Sequence, residues 1–202
     1  KDFTVRFRHE SPNSFSEWVE HDFNIGFPAG ATRIFYENFD DVALGAPPEG
    51  AEPVYSFDEW SGTPPPGWTI DNANMDPDGY PEWFGWVFVT QRFWLQAADQ
   101  DRNEYTLSLI GDGTFAVADS DEFDDTAAGG NFDSTLSSPQ FSASNDLQIF
   151  YSFSYRYEAP GIGETFLNAG GAPPLSLQRF EGDNPGAGPE PTNDIALHTV
   201  SG

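Results

Sequence analysis

Short runs of alternating apolar and polar residues recur along the chain, separated by clusters of turn-forming residues. The clearest runs cover residues 3–8, 34–39, 105–109 and 115–117. Because successive side chains of a β-strand point to opposite faces of the sheet, this alternation predicts strands with one buried face. Many short strands broken by turns are typical of an antiparallel sandwich or barrel.

Two longer runs refine the prediction. Residues 83–89 are apolar on both strand faces, which predicts a central strand buried on both sides. Residues 147–157 place apolar side chains on one face, with Phe150 on the opposite face among polar residues. This pattern predicts a one-sided strand. No stretch of ten or more residues has the 3.6-residue period of a helix, so we expect an all-β, antiparallel sandwich or barrel with long loops.

Composition supports this fold class. The chain has 20 Gly and 17 Pro residues along its whole length, and both residue types disfavour helices. Aromatic residues make up 16% of the chain, with 19 Phe, 7 Tyr and 6 Trp. Because each aromatic side chain buries roughly 150–250 Å², we expect a core built mainly from aromatic rings.

The charge balance excludes several classes of function. The formal net charge is −25, and such a chain repels the phosphate backbone of nucleic acids. We therefore expect no nucleic-acid partner, and no apolar run long enough for membrane insertion is present. The chain has no Cys and only 3 His, which removes disulfides, thiol nucleophiles, Cys zinc sites and a two-metal hydrolase centre.

The loop at residues 71–82 contains the pattern Asn74-x-Asp76-x-Asp78-Gly79. It copies the first half of a calcium loop, in which oxygen ligands two residues apart converge because glycine permits a sharp turn. The second half is missing, since Gly85 stands where an EF-hand has its bidentate Glu. The sequence leaves two interpretations open, a calcium loop between strands or a solvated turn.

Two other acidic segments are candidates for cation binding. Five carboxylates lie within residues 119–125, including Asp119 and Asp121. We interpret this segment as a loop that is solvated or binds calcium; a glycosidase acid and nucleophile are a weaker alternative, because the alternating carboxylate pattern of such a strand is missing. In residues 35–39, alternation places Glu37 on one face with two Phe side chains. A carboxylate on such a face needs a partner, either an arginine such as Arg33 or Arg156, or a metal.

Tryptophans could serve as stacking platforms for sugars. The candidates are Trp60, Trp83, Trp86 and Trp94, and the alternative for each of them is a place in the core. Serines are frequent, but no Gly-x-Ser-x-Gly elbow occurs and the histidines lie in no recognisable catalytic context. We therefore expect no catalytic site in this chain.

The ends of the chain contain an internal similarity. Residues 7–12 and 155–160 both read aromatic-Arg-x-Glu-small-Pro directly after an alternating strand. Either this similarity is chance, or residues 1–31 are the end of a preceding copy and the parent protein holds tandem modules. We accordingly predict an N-terminal strand segment at 1–31 and a sandwich module at 32–202.

Several motifs together resemble a known family. Residues 36–40 (Tyr-Glu-Asn-Phe-Asp), residues 65–71 (Pro-Pro-Gly-Trp-Thr-Ile-Asp) and the Asp-rich loop that ends at Trp83 resemble the opening of cleaved-adhesin and related choice-of-anchor modules. Residues 131–139 and the strand after them are similar to a later segment of the same modules. The stretch from residue 85 to 121 is similar to a subgroup attached to secreted bacterial metallophosphoesterases and other extracellular hydrolases.

This resemblance implies a two-sheet jelly-roll β-sandwich with structural calcium, in a secreted or cell-surface protein, with an adhesive or sugar-binding role. The cation candidates are the following residues, of which Asn74 comes from the loop pattern alone: Glu37, Asp40, Asn74, Asp76, Asp78, Asp119 and Asp121.

We therefore predict a non-catalytic, calcium-stabilised accessory module of a secreted or cell-surface bacterial protein. Its partner would be a glycan or a cell-surface protein. Two alternatives stay open. One is a surface or filament subunit that self-associates through its sheet edges, and the other is a glycan-processing enzyme.

Overall fold

A computed structural model gives the fold and describes residues 2–7, 10–11, 14–15, 19–24, 30–48, 57–97, 113–123, 126, 130–143, 146–155, 161–181 and 192–200. These residues are mostly strands in several antiparallel sheets, with little helix. The all-β prediction is confirmed, and the jelly-roll arrangement stays a prediction. The predicted strand at 105–109 and the acidic residues 124–125 lie outside the described residues.

The strands are β1 (Asp2–Phe7), β2 (Glu10–Ser11), β3 (Ser14–Phe15), β4 (Val19–Asn24), β5 (Trp60–Ser61), β6 (Thr69–Asp71), β7 (Val87–Thr90), β8 (Thr114–Val117), β9 (Thr135–Ser137), β10 (Leu147–Tyr155), β11 (Ile162–Leu167), β12 (Leu175–Glu181) and β13 (Thr192–Val200). The helices are α1 (Gln91–Ala97) and α2 (Ser120–Phe123), with a 3₁₀ helix at Pro81–Trp83.

The chain divides into two compact units, Lys1–Tyr36 and Glu37–Gly202. In the first unit, β1 pairs antiparallel with β4, and β2 pairs with β3 between them in the chain. The last four strands have the same nested connectivity, since β10 pairs with β13 and β11 with β12. The tandem-module interpretation stays a prediction.

A three-stranded sheet with the order β5-β7-β8 holds the centre of the second unit. The middle strand β7 is buried at Val87, Phe88 and Val89, which confirms a central strand buried on both faces. The strand is shorter than the predicted run of residues 83–89. The run begins instead with the 3₁₀ helix and a turn, in which Gly85 has a φ of 85° that a strand does not permit.

The core around this sheet is mainly aromatic, as composition predicts. Its buried members are Met75, Trp83, Val87, Val89, Phe93 and Phe123. Helix α1 follows β7 directly and contributes Phe93, whose ring centroid lies 6.3 Å from that of Trp83. Phe123 of α2 makes edge contacts with Phe84 at 5.8 Å and Phe132 at 5.5 Å. The helices and the sheet therefore contribute side chains to one hydrophobic core.

The strands β10 and β12 pack against each other through their facing side chains. The Tyr151 hydroxyl donates to Gln178 Oε1 at 2.8 Å, and the Phe153 and Phe180 ring centroids are 5.4 Å apart. On the opposite face of β10, Phe150 is 67% exposed, which confirms the one-sided strand. Two antiparallel pairs in contact give this part of the chain a sandwich-like character.

Candidate functional site

An open cleft of about 480 Å³ lies between β5, β6 and the turn that precedes β7. Its size falls within the roughly 300–1,000 Å³ that small-molecule sites occupy. Aromatic and proline rings dominate its lining. The lining residues are Trp60, Gly62, Pro64, Trp68, Thr69, Ile70, Asn72, Pro81, Phe84, Trp86 and Val87.

Trp60 is held on one side of the cleft by both its backbone and its indole. Its backbone N–H and C=O pair with Gly45 at 3.0 and 2.8 Å, and its Nε1 donates to the Glu82 carbonyl at 2.9 Å. A Cβ at Gly62 would lie 2.9 Å from Cη2 of the indole. Glycine at position 62 therefore leaves the room that this ring occupies.

Trp86 is fixed on the other side through Ser134. Its backbone N–H donates to Ser134 Oγ at 3.2 Å, and its Nε1 donates to the Ser134 carbonyl at 3.3 Å. The Ser134 hydroxyl in turn donates to Asn72 Oδ1 at 2.6 Å, while Asn72 Nδ2 donates to the Phe84 carbonyl at 2.9 Å. A Cβ at Gly85 would overlap the Asn72 amide. Hydrogen bonds therefore fix the positions of the Trp86 indole and the Asn72 amide.

Trp68, a third tryptophan of the lining, packs against Phe39. Their ring centroids lie 5.2 Å apart, and Phe39 lies 5.2 Å from the buried Phe88. Phe39 has a φ of 64°, which is costly for a residue with a large side chain. Glu37 Oε1 compensates by accepting the backbone N–H groups of Asn38 at 3.1 Å and Phe39 at 2.8 Å.

The strand predicted for residues 34–39 is therefore wrong. These residues form no strand, and the chain turns at Phe39, whose carbonyl accepts the N–H of Val42 at 3.1 Å. The physical reason is that a carboxylate which captures nearby backbone N–H groups competes with sheet pairing. Glu37, predicted to need an arginine or a metal, instead accepts hydrogen bonds from its own turn.

The four predicted tryptophan platforms separate into two groups. Trp60 and Trp86 line the cleft. Trp83 is fully buried in the core, so it has no exposed face for a ligand. Trp94 packs edge-on against Phe115 at 6.2 Å and donates its Nε1 to Asp119 Oδ2 at 3.0 Å.

Sequence reasoning missed several lining residues, namely Pro64, Trp68, Asn72, Pro81 and Phe84. Trp68 lies in the Pro-Pro-Gly-Trp motif that carried the family resemblance, and this motif was the available signal. Of the other four, Pro81 begins the 3₁₀ helix and the rest come from loops and turns. In such segments neither the strand period nor the helix period marks a residue as part of a site.

Hydrogen bonds within the predicted calcium loop and to residues 131–133 hold it in place. Asp76 Oδ1 accepts the N–H of Asp78 at 3.0 Å, an Asx turn. The Asp76 N–H donates to the Asn131 carbonyl at 2.9 Å, and Asn74 Nδ2 donates to Asp133 Oδ2 at 2.9 Å. These bonds tie the loop to residues 131–133.

Asp119 directly precedes α2, so residues 120–123 of the segment predicted as a loop form a one-turn helix. Its Oδ1 accepts the N–H of Glu122 at 3.3 Å, which is the position of a helix N-cap. Its Oδ2 accepts the Trp94 indole. The Asp121 side chain lies outside the described residues.

Asp40 closes a turn beside β8. Its Oδ1 accepts the backbone N–H of Thr114 at 3.2 Å, and its Oδ2 accepts the Asn38 amide. A Cβ at Gly113, whose φ is 82°, would overlap the same carboxylate. The structure therefore places Asp40 against backbone, as it does Asp76 and Asp119.

The described side chains do not fit a calcium site built from carboxylates. Among them, no three His, Asp or Glu residues gather into a group that could hold a metal ion. Calcium prefers six to eight oxygen ligands, whereas the carboxylates of Glu37, Asp40, Asp76 and Asp119 each accept a backbone N–H group. Calcium binding stays a prediction of the sequence.

Comparison with known proteins identifies no relative. No protein-family model matches the chain. No curated protein and no solved structure matches it. The resemblance to cleaved-adhesin modules therefore stays a prediction. Within the part of the chain that the structure describes, no helix is long and apolar enough to cross a membrane.

An ion pair stabilises the strand that carries Trp60. Glu59 Oε2 accepts Arg92 Nε at 3.0 Å and the Thr90 hydroxyl at 2.7 Å, and Arg92 also contacts Glu59 Oε1. The hydrogen bond from Arg92 lowers the pKa of Glu59 below its ordinary value of 4.5, against the opposing effect of burial. Arg92 also lies over the Phe57 ring, 4.2 Å from its centroid.

We expect Glu59→Gln to lower the free energy of unfolding by about 0.2–1 kcal/mol at neutral pH, the usual range for such pairs. Because the folded-state pKa is lowered, the stabilisation is present above pH 4.5 and is lost as the pH falls through the lowered pKa. Urea unfolding should therefore give a difference between wild type and variant at pH 7 that disappears in strong acid.

The matched control for this measurement is Asp58→Asn, which removes an exposed neighbouring carboxylate. A difference between wild type and Glu59→Gln that stayed constant, or grew, on acidification would contradict the role given to the ion pair.

Proposed function

We propose that this chain is a non-catalytic carbohydrate-binding module, and that the aromatic cleft is its binding site. The observation that carries the proposal is the pair of indoles, Trp60 and Trp86, fixed by hydrogen bonds from their own Nε1 groups in an open cleft. Pyranose rings present flat C–H faces, and such faces stack on aromatic rings that are rigid and partly exposed.

Preorganisation supports this proposal. A side chain that is immobilised only on binding costs roughly 0.5–1.5 kcal/mol of affinity. The Trp60 and Trp86 indoles avoid most of that cost because backbone carbonyls already hold them. Asn72 and Thr69 supply polar groups among the rings, and a few polar groups in an apolar lining are typical of sites that orient a small ligand.

The wider setting of the module is also a proposal. We place it in a secreted or cell-surface bacterial protein, where it attaches the parent protein to a glycan, and we propose a jelly-roll sandwich as its fold. The packing of β10 against β12 and the Tyr-Glu-Asn-Phe-Asp and Pro-Pro-Gly-Trp motifs support this setting.

Glycan-array binding with the full chain tests the proposal. We expect the wild-type chain to bind a defined set of glycans, and Trp60→Ala and Trp86→Ala each to weaken that binding by about tenfold or more. The matched control is Phe150→Ala, which removes an exposed ring outside the cleft and should leave binding unchanged.

Thermal unfolding of each variant shows whether it is folded, so that lost binding is not mistaken for lost structure. Binding that survives both tryptophan replacements in folded protein would contradict the cleft as the site. Release of new reducing ends from a bound glycan would favour the glycan-processing alternative instead.

A further inference from the structure

We infer that the cleft takes uncharged glycans and discriminates against uronate, sialylated and sulfated ones. This inference rests on the proposed carbohydrate function and adds the chemical class of the ligand. It comes from three features of the cleft: the charge of its lining, the charges at its rim, and the polar groups within it.

The described residues that line the cleft are all uncharged, in a chain whose formal net charge is −25. Proteins recognise carboxylate and sulfate groups mainly through arginine and lysine, and neither residue type is among the described residues that line the cleft. Arg92, whose partner Glu59 precedes the lining residue Trp60 in the chain, is not a lining residue and already pairs with Glu59. An anionic sugar entering the cleft would therefore lose hydration without gaining a cationic partner.

The rim repels anions as well. Asp71 lies between Ile70 and Asn72 in the chain, is exposed, and shares its strand face with Thr69 because side chains two residues apart on a strand point the same way. The overall negative potential adds to this effect and slows the approach of anionic ligands.

The polar groups suit hydroxyls. One N–H of Asn72 Nδ2 donates to the Phe84 carbonyl, and Oδ1 accepts from Ser134. A side-chain amide has two N–H donors and an oxygen with two lone pairs, so one N–H and one lone pair of Asn72 remain for a ligand. Thr69 adds a hydroxyl that both donates and accepts. A neutral sugar hydroxyl, itself donor and acceptor, matches this set, whereas a carboxylate can use only the donors.

The first experiment compares matched ligands. Isothermal titration uses the full chain with tetramers of β-1,4-linked mannose and mannuronate, and of β-1,4-linked glucose and glucuronate, beside an array that carries neutral and anionic glycans. We expect the glycans that bind the wild type but not Trp60→Ala to be neutral, with anionic counterparts at least about tenfold weaker.

Salt gives a second readout. Binding of a neutral glycan should change by less than about twofold between low and high sodium chloride, because screening acts only between charges. Cleft-dependent binding of anionic glycans with equal or higher affinity would overturn the inference and leave the proposed function intact. If no glycan binds in a manner that depends on Trp60, the proposed function fails and the inference fails with it.

A change of charge in the cleft lining completes the test. Thr69→Lys should strengthen binding of the anionic tetramers, in a salt-dependent way, while Thr69→Gln, of comparable length and no charge, should not. If the lysine variant gives no gain for anionic tetramers in folded protein, then the missing cation is not what excludes them, and the inference is wrong.

Discussion

Replacement of Trp83 by alanine is expected to lower the free energy of unfolding by about 3–5 kcal/mol, the usual cost of removing a large buried aromatic side chain. Trp83 is fully buried and packs against Phe93 with a centroid distance of 6.3 Å. Because the side chain is fully buried in the core, its removal leaves a cavity that the surrounding residues fill only in part. Chemical denaturation with urea or guanidinium measures the loss.

Trp83→Phe separates packing from polarity at the same position. The Trp83 Nε1 is buried and has no hydrogen-bond acceptor within the described ranges, and such an unsatisfied group costs about 1–3 kcal/mol. Phenylalanine removes this N–H and keeps a ring, so we expect it to lose much less stability than alanine. Equal losses in both variants would contradict this account. Phe150→Ala, at an exposed position, should change stability by less than about 0.5 kcal/mol.

Replacement of Gly79 by alanine is expected to lower the free energy of unfolding by about 1–3 kcal/mol, the usual cost of an overpacked core. A Cβ at position 79 would overlap the Phe123 ring. That ring is fully buried between Phe84 and Phe132, and the N–H of Tyr80 donates to the Phe123 carbonyl at 3.0 Å. Neither the ring nor the backbone beside it can move away cheaply.

The double variant Gly79→Ala/Phe123→Leu tests the cause. Leucine is smaller than phenylalanine and leaves room for the new methyl group, so the double variant should lose less stability than the two single variants added together. Coupling between contacting residues is typically about 0.5–3 kcal/mol. Strict additivity, or a Gly79→Ala effect that disappears when calcium is chelated, would point instead to the calcium loop that the sequence predicts.

The strands could be predicted wherever burial is one-sided or complete over several residues. Strand β10 follows its alternating pattern over nine residues, and β7 is buried as its continuous apolar run predicts. The prediction failed at Phe39, where the alternation continues but the Glu37 carboxylate captures the backbone N–H groups. The local hydrogen bonds to Glu37 therefore outweighed the alternating pattern, because residues 34–39 do not pair as a strand.

The acidic residues show the limit of composition. Clustered carboxylates predict cation binding if no other donors are near, yet Asp40, Asp76 and Asp119 each accept a backbone N–H group. For Asp119 the pattern Asp-x-x-Glu before Phe123 is a helix-start signal that could have been recognised. For Asp40 the donor is Thr114, far along the chain, and no local pattern could have indicated it.

The sequence by itself determined the all-β class and the aromatic character of the core, because strand alternation and side-chain size are local properties. Tertiary structure alone decided which tryptophans enter the core and which line a cleft. Trp83 and Trp86 are three residues apart, yet the first is fully buried and the second lines the cleft. The physical reason is that Gly85 and Ser134 direct the chain between them, and residue 134 comes near only when β9 has paired with β6.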